Sequence, residues 1–339
     1  MLPVDPQHVV NRLRHFQRSV RDQVVRSRQQ RGLHEVDRST AADTIYSIDT
    51  LVDPILEDFC REWSRDVPLV LIAEGIESHD GGAEGVKVFP EGAREADAKL
   101  RLIVDPIDGT RGLMYDKRSA WALAGVAPNN GPGTRLRDVE VAVMTELPTS
   151  KMGQADVLWA VKGQGAKGIR ESLADPTNSW TDLPLSPSTS PRIDHGFATV
   201  SNFFPGTKVL ASELTEHLVR ELVGEADVTK ATVFDDQYIS TGGQFYELIV
   251  GHDRFNADLR PDFYRLQKQP EGLCCHPYDC ATMLIAEEAG VVLTDGMGAP
   301  LDGPFDVTTG LSWAAYANEA LRQKIEPVVT AFVRGEKRS

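Results

Sequence analysis

Asp105-Pro106-Ile107-Asp108-Gly109-Thr110 follows directly on the apolar run Leu100-Arg101-Leu102-Ile103-Val104, and this stretch sets the fold and the chemistry expected of the chain. The run has the composition of a buried strand, so the hexapeptide is expected at a strand end. Proline fixes the backbone between two carboxylates, and glycine lets the chain turn tightly enough to bring both toward one point. Two unneutralised carboxylates about 4 Å apart repel by roughly 4 kcal/mol at an effective dielectric near 20, so their convergence calls for protonation or for cations. Hard cations such as magnesium suit all-oxygen donors and keep waters that a phosphate can displace. A helix opening just after Gly109 would aim the N–H groups of Gly109 and Thr110 at an anion. The bland alternative is a surface turn, since Asp-Pro and Asp-Gly are common turn pairs.

Outward from this stretch, Leu69-Val70-Leu71-Ile72 reads as a second strand that ends near Glu74. Residues 75–98 are rich in Gly, Glu and Asp without hydrophobic periodicity, which predicts a solvent-facing excursion. Val9, Leu13, Phe16, Val20 and Val24 recur at helical spacing, with Arg12, Arg14, Arg18 and Arg21 on the other, solvated faces. Leu51, Val52, Ile55, Leu56 and Phe59 mark a second helix. Further strands are expected at residues 121–126, 139–145 and 157–161, in an antiparallel or mixed sheet. Between residues 175 and 191 the composition shifts to Pro, Ser, Thr and Asp, which predicts a boundary between residues 1–185 and 186–339. A helix over 279–289 should stop at Gly290 and pass into a strand at 291–293. The alternation of helices and strands predicts a layered α/β protein.

Several segments in the same order resemble the inositol monophosphatase superfamily. The hexapeptide is similar to its first signature, and His276-Pro277-Tyr278-Asp279, leading to Glu288-Ala289-Gly290, is similar to its second. Asp43-Thr44-Ile45-Tyr46-Ser47-Ile48-Asp49, Leu71-Ile72-Ala73-Glu74, Ala160-Val161-Lys162-Gly163-Gln164-Gly165-Ala166 and Trp313-Ala314-Ala315-Tyr316-Ala317-Asn318 resemble further pieces. The joint occurrence is far more specific than any one motif. The resemblance implies an αβαβα sandwich and a magnesium-dependent phosphatase, with two or three ions, manganese as a substitute, and a homodimer. It implies Glu74, Asp105, Asp108, Asp279 and the Ile107 carbonyl as metal ligands, and Asp49 with Thr110 as the pair that polarises the attacking water. Gly109 and Thr110 would cradle the phosphate, and hydrolysis would need no covalent intermediate.

Arg38 lies where the family often has a lysine. Glu77 is displaced from the family's second adjacent glutamate, so ligand, second shell and solvent all remain open for it. Tyr278 stands in place of the usual tryptophan. Thr110-Arg111-Gly112-Leu113 is similar to a segment of the nucleotide bisphosphate phosphatases, which makes Arg111 a candidate for a second phosphate. The stretch 255–272 is longer than the typical insert; it carries Arg260, Arg265 and Lys268, where the rest of the substrate would bind. Inositol phosphates, sugar phosphates and nucleoside bisphosphates all remain open as small soluble substrates.

Composition narrows the alternatives. A formal charge of -14 and a pI near 5.1 over 339 residues argue against a nucleic-acid polymer as partner. No apolar run reaches bilayer-spanning length, and the first thirty residues lack the apolar stretch of a secretory signal, so a cytoplasmic protein without a membrane partner is expected. Cys274, Cys275 and Cys280 lie close in sequence, which sets a zinc site against free thiols. Gly163-Gln164-Gly165-Ala166-Lys167-Gly168 formally satisfies a dinucleotide-binding pattern, but Asp175-Pro176 arrives too soon for the crossover helix that such a site needs. A metal-binding regulatory protein with the same fold is the rival of another class.

Overall fold

The computed structural model describes residues 2–27, 35–39, 44–76, 83–174, 179–225, 227 and 229–336. Helix α1 (Pro6–Ser27) leads to the strand pair β1 (Val36–Ser39) and β2 (Thr44–Tyr46), then to α2 (Asp53–Trp63). Strands β3 (Leu69–Ala73), β4 (Val86–Phe89) and β5 (Leu100–Asp108) precede the short helix α3 (Thr110–Met114). Strands β6 (Ala120–Pro128), β7 (Val141–Leu147), β8 (Gln154–Val161), β9 (Ala166–Ser172) and β10 (Trp180–Asp182) complete the first sheet. Its order is β10-β9-β8-β7-β6-β5-β3-β4, antiparallel except where β3 runs parallel to β5. The remaining elements are β11 (Phe197–Val200), α4 (Lys208–Leu222), α5 (Thr241–Ile249), β12 (Asp253–Asp258), α6 (Arg260–Leu266), α7 (Met283–Ala289), β13 (Val292–Thr294), β14 (Trp313–Tyr316) and α8 (Glu319–Val333). They build a second sheet of order β11-β12-β14-β13.

Side-chain alternation on the central strands stacks these elements into layers. On β3, Leu69, Leu71 and Ala73 join Leu100, Leu102 and Val104 of β5 beneath α1 and α2. Val70, Ile72 and Ile103 point the other way, into a core shared with α5, α7 and the second sheet. A strand buried on both faces is apolar at nearly every position, as β3 is throughout; on β5 the exception before Asp105 is Arg101, whose Nε donates to Asn129 at 3.0 Å. Helices α4, α6 and α8 close the far side, where Leu214, Phe263, Ile325 and Phe332 pack against the second sheet. The result is the expected αβαβα sandwich. Among the described residues no helix is long and apolar enough to cross a membrane.

Three local expectations are corrected. Part of the excursion at 75–98 is packed: β4 pairs with β3, Phe89 is buried, and the Lys87 ammonium reaches Glu57 at 2.8 Å. Four residues are too few for periodicity to reveal such an edge strand. The helix expected over 279–289 begins at Met283, because Asp279 caps a turn instead. The glycine pattern at 163–168 is a hairpin turn between antiparallel β8 and β9, which agrees with the rejection of a dinucleotide site there. The N–H groups of Gly163 and Gly165 both donate to Glu288 on α7, each at 2.7 Å.

The third correction concerns α1, whose arginine face is not simply solvated. Arg18 and Arg21 donate to Glu171 of β9 at 2.5 and 2.7 Å, and both Arg21 and Glu171 are 2% exposed. Gln17, also buried, donates to the Val143 carbonyl at 2.8 Å and accepts from Thr145. These polar groups fix where the helix lies along the sheet. Removing one partner of a buried ion pair strands the other charge, so Glu171→Ala is expected to cost about 3 kcal/mol of stability. Urea unfolding measures it, and a loss below about 1 kcal/mol, the value of an exposed pair, would show that the cluster is a surface feature.

Candidate active site

Asp105 and Asp108 are three residues apart, and in a regular strand an odd separation sends side chains to opposite faces. The register of β5 against β6 slips between them, Asp105 opposing Leu123 and Asp108 opposing Trp121. The extra residue restores both carboxylates to one side. Pro106, which has no N–H to give to a ladder, occupies the slip. Within it the Ile107 N–H donates to Asp105 Oδ1 at 2.9 Å. The chain then turns at Gly109, with φ of 99°, and opens α3 at Thr110. A Cβ at Gly109 would lie 3.1 Å from Ser240 Cβ in addition to the strained φ.

Asp108 faces the start of α5. Its Oδ2 accepts from Ser240 Oγ at 2.8 Å and from the Gly242 N–H at 2.6 Å, and its Oδ1 accepts from the Thr241 N–H at 3.3 Å. Ser240 is also the N-cap of that helix, accepting from the Gly243 N–H. Asp279 comes from the turn before α7, where its Oδ2 accepts from the His276 N–H at 2.6 Å. The His276 ring lies against Tyr278, and its Nδ1 is 3.0 Å from the Thr309 carbonyl. His276 therefore positions the turn.

The ligand oxygens of Asp105, Asp108 and Asp279 lie within 4.8 Å of one another. Burial, followed by the charges of Asp108, Asp279 and Glu74, pushes Asp105 well above the usual carboxylate range. Burial and Asp279 raise Asp108 to about 8 against the opposing pull of the α5 N–H groups and Ser240. All converging donors are oxygens, and cations of the magnesium type would relieve the repulsion. The donor set therefore fits hard divalent cations.

Thr110 Oγ1 lies 2.8 Å from both Asp49 Oδ1 and the Ile107 carbonyl. Asp49 Oδ2 in turn accepts from the Tyr46 N–H at 2.8 Å. Glu74 follows directly on β3 and lines the same cleft as Asp105, Ile107, Asp108, Gly109, Thr110, Arg111 and Asp279. Arg38 is on β1, opposite Ile45. Glu77 lies outside the described residues.

The sequence reading missed several parts of this cleft. Phe203, Phe204, Ser240 and Thr241 line it. A serine just before the apolar stretch Phe245, Tyr246, Leu248 and Ile249 is an N-cap signal that could have pointed to Ser240; nothing local marks the two phenylalanines. Of the three basic residues expected from 255–272, Arg260 alone lines the cleft, while Arg265 bonds Asp262 at 2.9 Å and the Val333 carbonyl at 2.8 Å. The cysteines do not form a ligand set: Cys275 and Cys280 sulfurs are 3.5 Å apart, but Cys274 turns to Glu271. A wider cleft of about 640 Å³ beside β4, lined by Val86, Val88, Arg101 and Phe305, holds no convergent acids among the described residues.

No family model matches the chain. Its fold is that of the inositol monophosphatases and fructose-1,6-bisphosphatases. The fructose-1,6-bisphosphatase of Leishmania major matches with a TM-score of 0.68 and 15% identity, over 95% of this chain and 92% of that one. The extragenic suppressor protein SuhB of Bartonella henselae gives 0.63 and 16%, over 95% and 98%. In sequence, the fructose-1,6-bisphosphatase/inositol-1-monophosphatase of Methanothermobacter thermautotrophicus is 23% identical over 226 residues, 66% of this chain. That match spans 65% of the relative's own length. These likenesses bear out the resemblance carried by the motifs.

Gly242 tests how closely α5 must approach Asp108. A Cβ there would lie 2.5 Å from Leu123 Cδ2 and 3.0 Å from Asp108 Oδ2. Gly242→Ala is expected to cost about 1–3 kcal/mol as helix and strand move apart. An unchanged urea midpoint would refute the close approach.

Proposed function

We propose that the chain is a magnesium-dependent phosphatase that hydrolyses a phosphate monoester of a small soluble metabolite. The observation that carries this reading is the meeting of Asp105, Asp108 and Asp279 within 4.8 Å. Glu74 and the Ile107 carbonyl complete the proposed ligand set for two or three ions, with manganese as a substitute. Bound cations would offset the carboxylate charge, polarise the phosphoryl group and acidify water at the site.

The chain's own groups supply orientation. The Thr110 hydroxyl donates toward Asp49, which leaves its oxygen able to accept a proton from a water in the cleft. Asp49, held by the Tyr46 N–H, fixes that hydroxyl and provides the acceptor behind it. Gly109 and Thr110 present first-turn N–H groups of α3 to the phosphoryl oxygens. Attack in line at phosphorus then needs no nucleophilic side chain. The proposed substrate is inositol monophosphate-like, one of the two activities in the name of the archaeal fructose-1,6-bisphosphatase/inositol-1-monophosphatase, and sugar phosphates and nucleoside bisphosphates are the alternatives. The proposed assembly is a homodimer.

Phosphate release across these three substrate classes, with magnesium and again with chelator, tests the reaction. Release that is abolished by chelator and restored by magnesium is expected. Thr110→Ala should lower kcat by about 100-fold or more, the usual contribution of a positioned proton acceptor. Asp105→Asn and Asp279→Asn should abolish turnover with folding intact by circular dichroism; wild-type turnover in both would refute the assignment. A chain that binds manganese by calorimetry yet releases no phosphate from any substrate would favour the regulatory reading.

A further inference from the structure

A circuit of contacts closes around Asp108 and passes through Tyr238, a side chain that does not line the cleft. Asp108 stands opposite Trp121 in the β5–β6 ladder. The Trp121 Nε1–H donates to the Tyr238 hydroxyl at 2.9 Å. Tyr238 is followed by Ile239 and Ser240, and Ser240 Oγ returns to Asp108 Oδ2 at 2.8 Å. The chain along this last step is bonded to itself: the Tyr238 N–H donates to the Asp236 carbonyl at 2.8 Å, and the Ser240 N–H to the Tyr238 carbonyl at 2.9 Å.

Tyr238 is held both at its hydroxyl and on its ring. The hydroxyl, which accepts from Trp121, also donates to the Ser119 carbonyl at 2.9 Å. The Arg118 guanidinium lies 3.6 Å from the ring centroid, and it is fixed in turn by Asp236 at 2.5 Å and by Glu247 of α5 at 2.8 Å. The first turn of α5 packs on the same ring, since a Cβ at Gly243 would lie 2.4 Å from its Cε1 and Cζ atoms. Tyr238 is 4% exposed and Trp121 is fully buried, so an indole N–H left without its partner there would meet no water. The first residues of β6 thus grip Tyr238, and Tyr238 sets where α5 begins.

From this circuit we infer that Tyr238 is a positioning residue for the cation site: through Ser240 it fixes the orientation of the Asp108 carboxylate, and so sets how tightly the acids hold a divalent cation. The inference rests on the reading of Asp105, Asp108 and Asp279 as cation ligands. Tyr238 touches neither cation nor substrate; without its hydroxyl the start of α5 is free to shift, and Ser240 moves with it.

Manganese binding to the full chain, measured by calorimetry and therefore independent of turnover, tests it in the wild type, Tyr238→Phe, Ser240→Ala and the double variant. Groups that orient metal ligands commonly carry about 10- to 100-fold in affinity, so Ser240→Ala is expected to raise the manganese Kd by about tenfold or more. Tyr238→Phe, which acts one bond further back, should raise it about three- to tenfold, yet add less than about twofold on top of Ser240→Ala. With magnesium, the concentration for half-maximal phosphate release should rise in parallel, while kcat at saturating magnesium changes by less than about twofold. A packing role alone would lower the urea midpoint of Tyr238→Phe and leave the Kd of the folded chain as it was. An unaltered Kd in Tyr238→Phe, or an equal loss with and without the Ser240 hydroxyl, overturns the inference. If Tyr238→Phe does not fold, Trp121→Phe, which removes the donor of the same bond, takes its place in the cycle. A wild-type chain that binds no manganese would instead refute the cation site itself, and the inference with it.

Discussion

Carboxylates gathered out of bulk water repel one another, and a fold that gathers them must hold each by other means. Here the backbone does the holding. Asp105 is tied to the Ile107 N–H inside the strand slip, Asp108 to the N–H groups at the start of α5, and Asp279 to the His276 N–H of its own turn. Each bond favours the charged form of its acid, against burial and against its neighbours. The anchors come from the first sheet, from α5 and from the turn before α7, so the site exists only when the layers are packed. The large apolar cluster between the sheets supplies packing that offsets the cost of the gathered charge.

The same logic separates what the sequence revealed from what it withheld. The hexapeptide, Glu74 after β3 and the Asp279 turn were legible because each combines a carboxylate with a residue that constrains the backbone next to it. The partner of Asp108 was not, since Ser240 and Gly242 meet it across more than a hundred positions of chain and carry no charge. Gly242 is needed because Leu123 and Asp108 press on its α-carbon, which is a property of the assembled layers. The arginines of α1 misled for a related reason. Their spacing is that of a wetted face, and only the position of Glu171 on β9 turns that face inward.

The dinucleotide-like glycines show how a pattern and its chemistry can part. Gly163 and Gly165 do present N–H groups to an anion, as such loops do, but the anion is the carboxylate of Glu288. A motif for gripping a cofactor phosphate serves here to fasten α7 to the tip of the β8–β9 hairpin. The bonds join the β8–β9 hairpin to the second signature region and hold the end of the helix that follows Asp279.

The sandwich also has a bearing on how the chain is made. Val70, Ile72, Ile103, Trp121, Leu123, Met144 and Leu158 form the face of the first sheet that α5, α7 and later segments of the chain cover. As a nascent polypeptide leaves the ribosome, all of those strands emerge well before residues 241–289 do. Until then the sheet offers the cell a broad greasy surface with no lid. Such an intermediate is a natural client for a chaperone, and a message truncated before α7 would yield a product prone to clump rather than a smaller working unit.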